Sequence, residues 1–128
     1  MINPDAIGRT FKGAEVTITQ SEIDAFAAAL GESDTSVAPP TFSIRISLAQ
    51  SQSVLTSPEV GVDWDRIVHG DQRFEIHTPL KAGDVVRCDS MLEGYKQVAG
   101  NEFVTARSDL FVGDKRVATN WSTLVVRA

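Results

Sequence analysis

Pro39-Pro40-Thr41-Phe42-Ser43-Ile44-Arg45-Ile46-Ser47-Leu48-Ala49-Gln50-Ser51-Gln52-Ser53-Val54-Leu55-Thr56-Ser57-Pro58 is the stretch whose reading decides the fold. Prolines bracket it, and nothing between them breaks a helix. Phe42, Ile44, Ile46, Leu48, Ala49, Val54 and Leu55 spread around much of a helical circumference, and Arg45 is the only charge. A helix with so little charged face is buried on most sides. The pattern predicts a helix over residues 42–57, opened by Thr41 as cap and enclosed by the rest of the chain. Ile46 and Leu48 are expected in the core, where trimming either to Ala costs about 2–5 kcal/mol.

Upstream, residues 14–19 contain the β-prone run Val16-Thr17-Ile18-Thr19. A first helix follows, with Ser21 as expected N-cap, Ile23, Phe26, Ala27 and Leu30 on one face, and Gly31 as stop. Downstream, the period changes to two. Residues 67–78 put Val68, Phe74 and Ile76 on one face and Arg73, Glu75 and His77 on the other. Residues 85–96, 102–112 and 117–127 alternate in the same way, around turns at Val98-Ala99-Gly100-Asn101 and Gly113-Asp114. One strand, two helices and four antiparallel strands make an α+β class. An antiparallel sheet with one apolar face has to be covered, and the charge-poor helix is the cover.

The composition sets outer bounds. The 128 residues are 42% apolar and 23% charged, which suits one globular domain over residues 1–128. A net charge of −5 argues against nucleic acid as a partner. The single cysteine, Cys88, excludes an internal disulfide and suits a reducing compartment. The opening residues carry no basic n-region or apolar h-region, and no apolar run approaches a membrane span. The expectation is a cytoplasmic protein without a membrane partner. Two histidines and one cysteine give no metal site, and no cofactor is expected.

Ala38-Pro39-Pro40-Thr41-Phe42 before the helix, and Val68-His69-Gly70-Asp71-Gln72-Arg73-Phe74-Glu75-Ile76-His77-Thr78-Pro79-Leu80-Lys81-Ala82-Gly83-Asp84 after it, resemble the N-terminal MaoC-like dehydratase family. The resemblance runs from about Gly8 to Val126. It implies a hot-dog fold, a curved antiparallel sheet wrapped around a central helix, and dimers whose sheets join edge to edge. It also implies acyl-CoA or acyl-ACP thioester substrates, with reversible hydration of a trans-2-enoyl thioester. Active members supply an Asp/His pair for proton transfer through a G-D-x-N-P-x-H motif after the first helix. Here that region reads Gly31-Glu32-Ser33-Asp34-Thr35-Ser36-Val37, with Glu32 in place of the Asp and Val37 in place of the His. The implied role is a subunit of a heteromeric enoyl-thioester hydratase or 3-hydroxyacyl dehydratase. It would lack the pair and shape the acyl site with a related catalytic MaoC-like subunit. The alternatives are a self-sufficient homodimeric (R)-specific enoyl-CoA hydratase, a hot-dog thioesterase, and a non-enzymatic acyl-binding module.

Three residues stand as candidate catalytic groups. Glu32 and Asp34 are loop acids whose alternative reading is a local cap. His69 alternates with Val68, which turns it away from the core face unless a bulge intervenes at Gly70. His77 reads as an exposed residue beside a turn. For substrate binding, the amides near Thr41 and Phe42 are candidates to hold a thioester oxygen. Arg45 would either reach a CoA phosphate or pair with an acid. Trp121 and Phe111, off the concave face, form a partner surface or stand as scattered aromatics.

Overall fold

Alternation in the second half of the chain produces one antiparallel sheet, and the computed structural model describes it over residues 1–128. Its strands are β1 (Thr10–Thr17), β2 (Ile67–Ile76), β3 (Val85–Val98), β4 (Asn101–Val112) and β5 (Lys115–Val126), in the order β1-β3-β4-β5-β2. Two helices, α1 (Gln20–Leu30) and α2 (Ile44–Thr56), separate β1 from β2, and α2 packs across β3, β4 and β5. A curved five-stranded sheet around one helix is the hot-dog arrangement expected from the sequence. No helix is long and apolar enough to cross a membrane.

Several boundaries move for local reasons. Thr19, not Ser21, caps α1, because only Thr19 has a Glu three residues on. The Thr19 side chain accepts from the Glu22 N–H, and Glu22 accepts from the Thr19 N–H. Leu30, expected on the buried face, is exposed, whereas Ile23 and Ala27 are fully buried. β1 begins earlier than expected, at Thr10. A register break between Lys12 and Glu15 hides its alternation. Gly13 is required there, since a Cβ would collide with the Cys88 carbonyl oxygen. Thr41 caps nothing. Residues 40–43 form a turn and α2 starts at Ile44, with Ser43 at the N-cap position and no side-chain capping bond.

The face of α2 against the sheet also differs from expectation. The residues buried there are Ser43, Ser47, Ser51, Val54 and Leu55, whereas Ile46 and Leu48 are only half-buried. Ile46 borders the core, but Leu48 joins neither of its clusters. Serines at i, i+4 and i+8 form one helical stripe. Asn120 on β5 meets the first two, donating from Nδ2 to Ser43 Oγ at 3.0 Å and to Ser47 Oγ at 2.9 Å. Ser90 and Ser108 extend the polar band across β3 and β4, their hydroxyls 2.9 Å apart. The band divides the core. One cluster gathers Val54, Leu55, Leu92, Val104 and Leu124 toward the C-terminal end of α2. The other gathers Ile23, Phe42, Val86, Cys88 and Leu110 toward its start.

Two consequences can be measured by denaturant unfolding of the isolated chain. Leu55→Ala, at a fully buried site, is expected to cost about 2–5 kcal/mol, and Leu48→Ala less than about 1 kcal/mol. Asn120→Ala strips two buried hydroxyls of their donor and is expected to cost about 1–3 kcal/mol. Equal losses at Leu48 and Leu55 would mean that α2 is rotated from the orientation described.

Candidate functional site

The loop between α1 and α2 shows what became of the two candidate acids. Gly31 takes the left-handed conformation at φ 73° and ends α1. The Gly31 N–H donates to Ala28 O at 3.1 Å and the Glu32 N–H to Ala27 O at 2.8 Å, closing the last turn. Glu32 is thus held by its backbone while its side chain stands in solvent. Asp34 accepts from the Ser36 N–H at 3.0 Å and the Ser36 hydroxyl at 2.7 Å. Those bonds hold its carboxyl below the usual range. Asp34 serves the loop, the Glu32 carboxylate makes no bond, and neither lines the two cavities described next.

A cavity of about 170 Å³ lies where the loop meets the start of α2 and the segment after β2. The Ala38 N–H ties the two together by donating to Leu80 O at 2.7 Å. Val37, Pro39, Ser43, Ile76, Thr78 and Ala118 contribute to its wall. Val37 stands where the resemblance calls for an imidazole, and no lining side chain is ionisable. The Phe42 amide, a candidate for holding an oxyanion, is already spent on Pro39 O at 2.9 Å. The N–H groups of Thr41 and Ser43 have no such backbone bond, and Ser43 stands at the N-cap of α2.

A larger cavity, about 340 Å³, opens between β1 and α2. Val16, Ile18, Ile46, Ala49 and Cys88 make it largely apolar, and Phe42 and Arg45 also line it. Phe42 is locked edge-on against Phe26, with ring centroids 5.4 Å apart. Arg45 pairs with Glu22 at 3.2 Å and lies over the Phe42 ring. Arg45 is therefore tied within the chain at the polar end of this cavity. Hydrogen bonds from Thr19, with Arg45 beside it, hold the Glu22 carboxyl below its usual range. Burial pushes the Cys88 thiol up to about 11, so it is a packing group rather than a nucleophile. Thr41, exposed in the turn, lines neither cavity.

His69 is where the structure corrects the sequence reading most. The register of β2 on β5 breaks between His69 and Asp71, so a bulge at Gly70 does intervene. His69 then pairs with Leu124, Gln72 with Ser122, and Phe74 with Asn120, all facing the concave side with those buried partners. Val68, expected inward, pairs with Val125 and is exposed. His69 Nε2 lies 2.9 Å from Gln72 Oε1, which also accepts from the Ser122 hydroxyl. Gln72 and Ser122 were not singled out from the sequence. The only available signal was the polar interruption of an inward-facing position. His77 is exposed and 3.3 Å from Glu75, as its place beside the turn suggested. On the convex face Trp121 is covered by the Arg73 guanidinium at 3.8 Å, and Phe111 by Arg87 at 4.9 Å.

A family model described as the FAS1-like, dehydratase domain region matches residues 5–120. The chain belongs to that FAS1-like dehydratase family. It is 36% identical over 144 residues to a UPF0336 protein of Thermobifida fusca (strain YX), covering 98% of this chain and 94% of the relative. A second UPF0336 protein, from Streptomyces coelicolor, is 38% identical over 122 residues, covering 94% and 81%. Among solved structures, the truncated HadBC (3R-hydroxyacyl-ACP dehydratase) complex of Mycobacterium tuberculosis has a TM-score of 0.83 at 21% identity, covering 94% of this chain and 97% of that one. The R-hydratase PhaJ1 of Pseudomonas aeruginosa has a TM-score of 0.72 at 16% identity, covering 94% and 81%. Both are likenesses of fold. This chain of the FAS1-like dehydratase family keeps the fold while its loop carries Glu32 and Val37 at the two positions where the resemblance implies an Asp and a His.

The role of Asp34 can be read by titration. Its folded-state pKa is lowered, so its stabilising contribution is present above the unfolded value of about 3.9 and is lost as pH falls through the folded value. Ser36→Ala is expected to move the Asp34 carboxyl midpoint, followed by carbon-13 NMR, back up toward that unfolded value. An unchanged midpoint would mean that the Ser36 hydroxyl does not hold this carboxylate.

Proposed function

We propose that this chain, a single hot-dog domain, is one subunit of a heteromeric acyl-thioester hydratase/dehydratase acting on acyl-CoA or acyl-ACP in the cytoplasm. It contributes the fold and an acyl cavity, and a related chain contributes the Asp/His pair. The observation that carries this reading is Val37 in the wall of a cavity without an ionisable side chain. Hydration of an enoyl thioester needs a base for the attacking water and a proton for C2. The acids nearest in sequence, Glu32 and Asp34, stand in solvent. The likeness in fold to a complex named as a 3R-hydroxyacyl-ACP dehydratase agrees with this reading.

The sheet supports a place for the partner. β2 is the last strand in the order β1-β3-β4-β5-β2, and its outer edge has no hydrogen-bonded neighbour. An unpaired edge is a template for another strand. A related hot-dog chain docked there would extend the sheet and face the concave side of β2, where His69 and Gln72 lie.

Two measurements test the proposal. Sedimentation at micromolar concentration is expected to give a dimer or a complex, and a monomer alone would contradict the assembly. The isolated chain is expected to hydrate crotonyl-CoA about 10²–10⁴-fold more slowly than its mixture with a related chain carrying the full pair. The loss of enoyl-thioester absorbance reports the rate. Full turnover by the chain alone, abolished by changing Glu32, Asp34 or His69, would replace this reading with a self-sufficient enzyme.

A further inference from the structure

The turn before α2 stands between the two cavities. Pro39 and Ser43 line the cavity of about 170 Å³, and the Phe42 N–H donates to Pro39 O between them. Phe42 itself lines the other cavity, of about 340 Å³. One core cluster closes both. Ala38, Leu80 and Ala118 are the buried floor of the smaller cavity, and Ile18 and Cys88 that of the larger. All five pack in the same cluster with Phe42, the largest fully buried side chain of the molecule. Phe26 holds the Phe42 ring edge-on, and the Arg45 guanidinium lies over it at 5.3 Å.

The two cavities differ in what they admit. The smaller has an exposed rim at Val37, Pro40 and Ile76 and no ionisable side chain in its wall. An alkyl tail entering there strips water from no charge. The larger has the Arg45–Glu22 pair at its polar end. A tail passing that pair would desolvate both charges and give no hydrogen bond in return. The smaller cavity is therefore the better place for the tail. Its volume of about 170 Å³ lies well below the roughly 300–1,000 Å³ of pockets that hold drug-sized ligands, so the tail it takes is short.

We propose that Phe42 sets the length limit of the acyl tail. A short tail fills the cavity at the start of α2 and stops at the Phe42 ring, which keeps the larger cavity closed behind it. The inference rests on the acyl-thioester reading above and narrows the ligand class to short-chain acyl thioesters. Phe42 is a specificity-determining residue in this arrangement and touches no reacting atom. Trimming its ring leaves a void, because a packed core relaxes only partly around a lost side chain. That void would join the two cavities.

Calorimetric titration of the chain with butyryl-, hexanoyl-, octanoyl- and decanoyl-CoA reads the limit. Each methylene that enters an apolar cavity tightens binding about fourfold. The wild type is expected to gain affinity from butyryl- to hexanoyl-CoA and none from hexanoyl- to decanoyl-CoA. Phe42→Ala is expected to carry the rise onward, with decanoyl-CoA at least about tenfold tighter than hexanoyl-CoA. Phe42→Leu disturbs the core less and is expected to move the limit to octanoyl-CoA, with circular dichroism confirming that the chain is folded. Ala49→Phe narrows the larger cavity from α2. It is expected to leave the wild-type profile unchanged and to restore the hexanoyl limit in the Phe42→Leu background. A general loss of packing weakens all four ligands alike, so the ratios between them isolate the part played by the ring. Steady tightening of the wild type through decanoyl-CoA would overturn the inference, as would a folded Phe42→Leu chain with an unmoved limit. Weaker binding after Ala49→Phe alone would place the tail in the larger cavity and overturn it too. In each of these cases short-chain binding leaves the acyl-thioester reading standing. If none of the four ligands binds the wild type or the variants, that reading falls with the length limit.

Discussion

A thirteen-residue helix with one charged side chain has to be enclosed, and the whole chain is arranged around enclosing it. β3, β4 and β5 supply the surface beneath α2, and β1 and α1 close one flank. The contact is not a uniform apolar one. Asn120 holds the helix through Ser43 and Ser47, and the apolar side chains gather at either end of that polar band. Such bonds add little net stability, but leaving either side unpaired is costly. They therefore fix the rotation of the helix more than they fasten it down, and the two cavities at its flank and start follow from that rotation.

Ionisable groups are absent from the cavity at the start of α2; the Asp34 carboxylate is spent on Ser36, and the Glu32 side chain stands in solvent. Near the larger cavity, Glu22 and Arg45 neutralise each other. His69 lies on β2, one of the two edge strands of the sheet. Fold and site are separable in this family.

Glu102 illustrates how polar groups elsewhere are kept satisfied. It is buried on β4, which pulls its carboxyl upward. The Ile2 N–H at 2.9 Å, the Tyr95 hydroxyl at 2.7 Å and the Met1 amine at 3.7 Å outweigh that and hold it below the usual range. Burying a charge is tolerated where such donors surround it. Ser51 Oγ and Gln72 Nε2 are the side-chain atoms where this satisfaction fails.

The sequence by itself determined the architecture. Period-two alternation in β3, β4 and β5 and a charge-poor segment between prolines are local patterns, and burying them admits few solutions. It also determined that the loop lacks the Asp/His pair, since residue identity is enough for that. The facing of α2 was decided only by tertiary structure. Apolar side chains are spread around its circumference, so hydrophobicity could not choose a face, and serines complementary to Asn120 did. The placement of His69 was likewise decided by the Gly70 bulge. One unpaired residue reverses every inward and outward position before it, and whether it forms depends on the partner strand's register rather than on β2 itself.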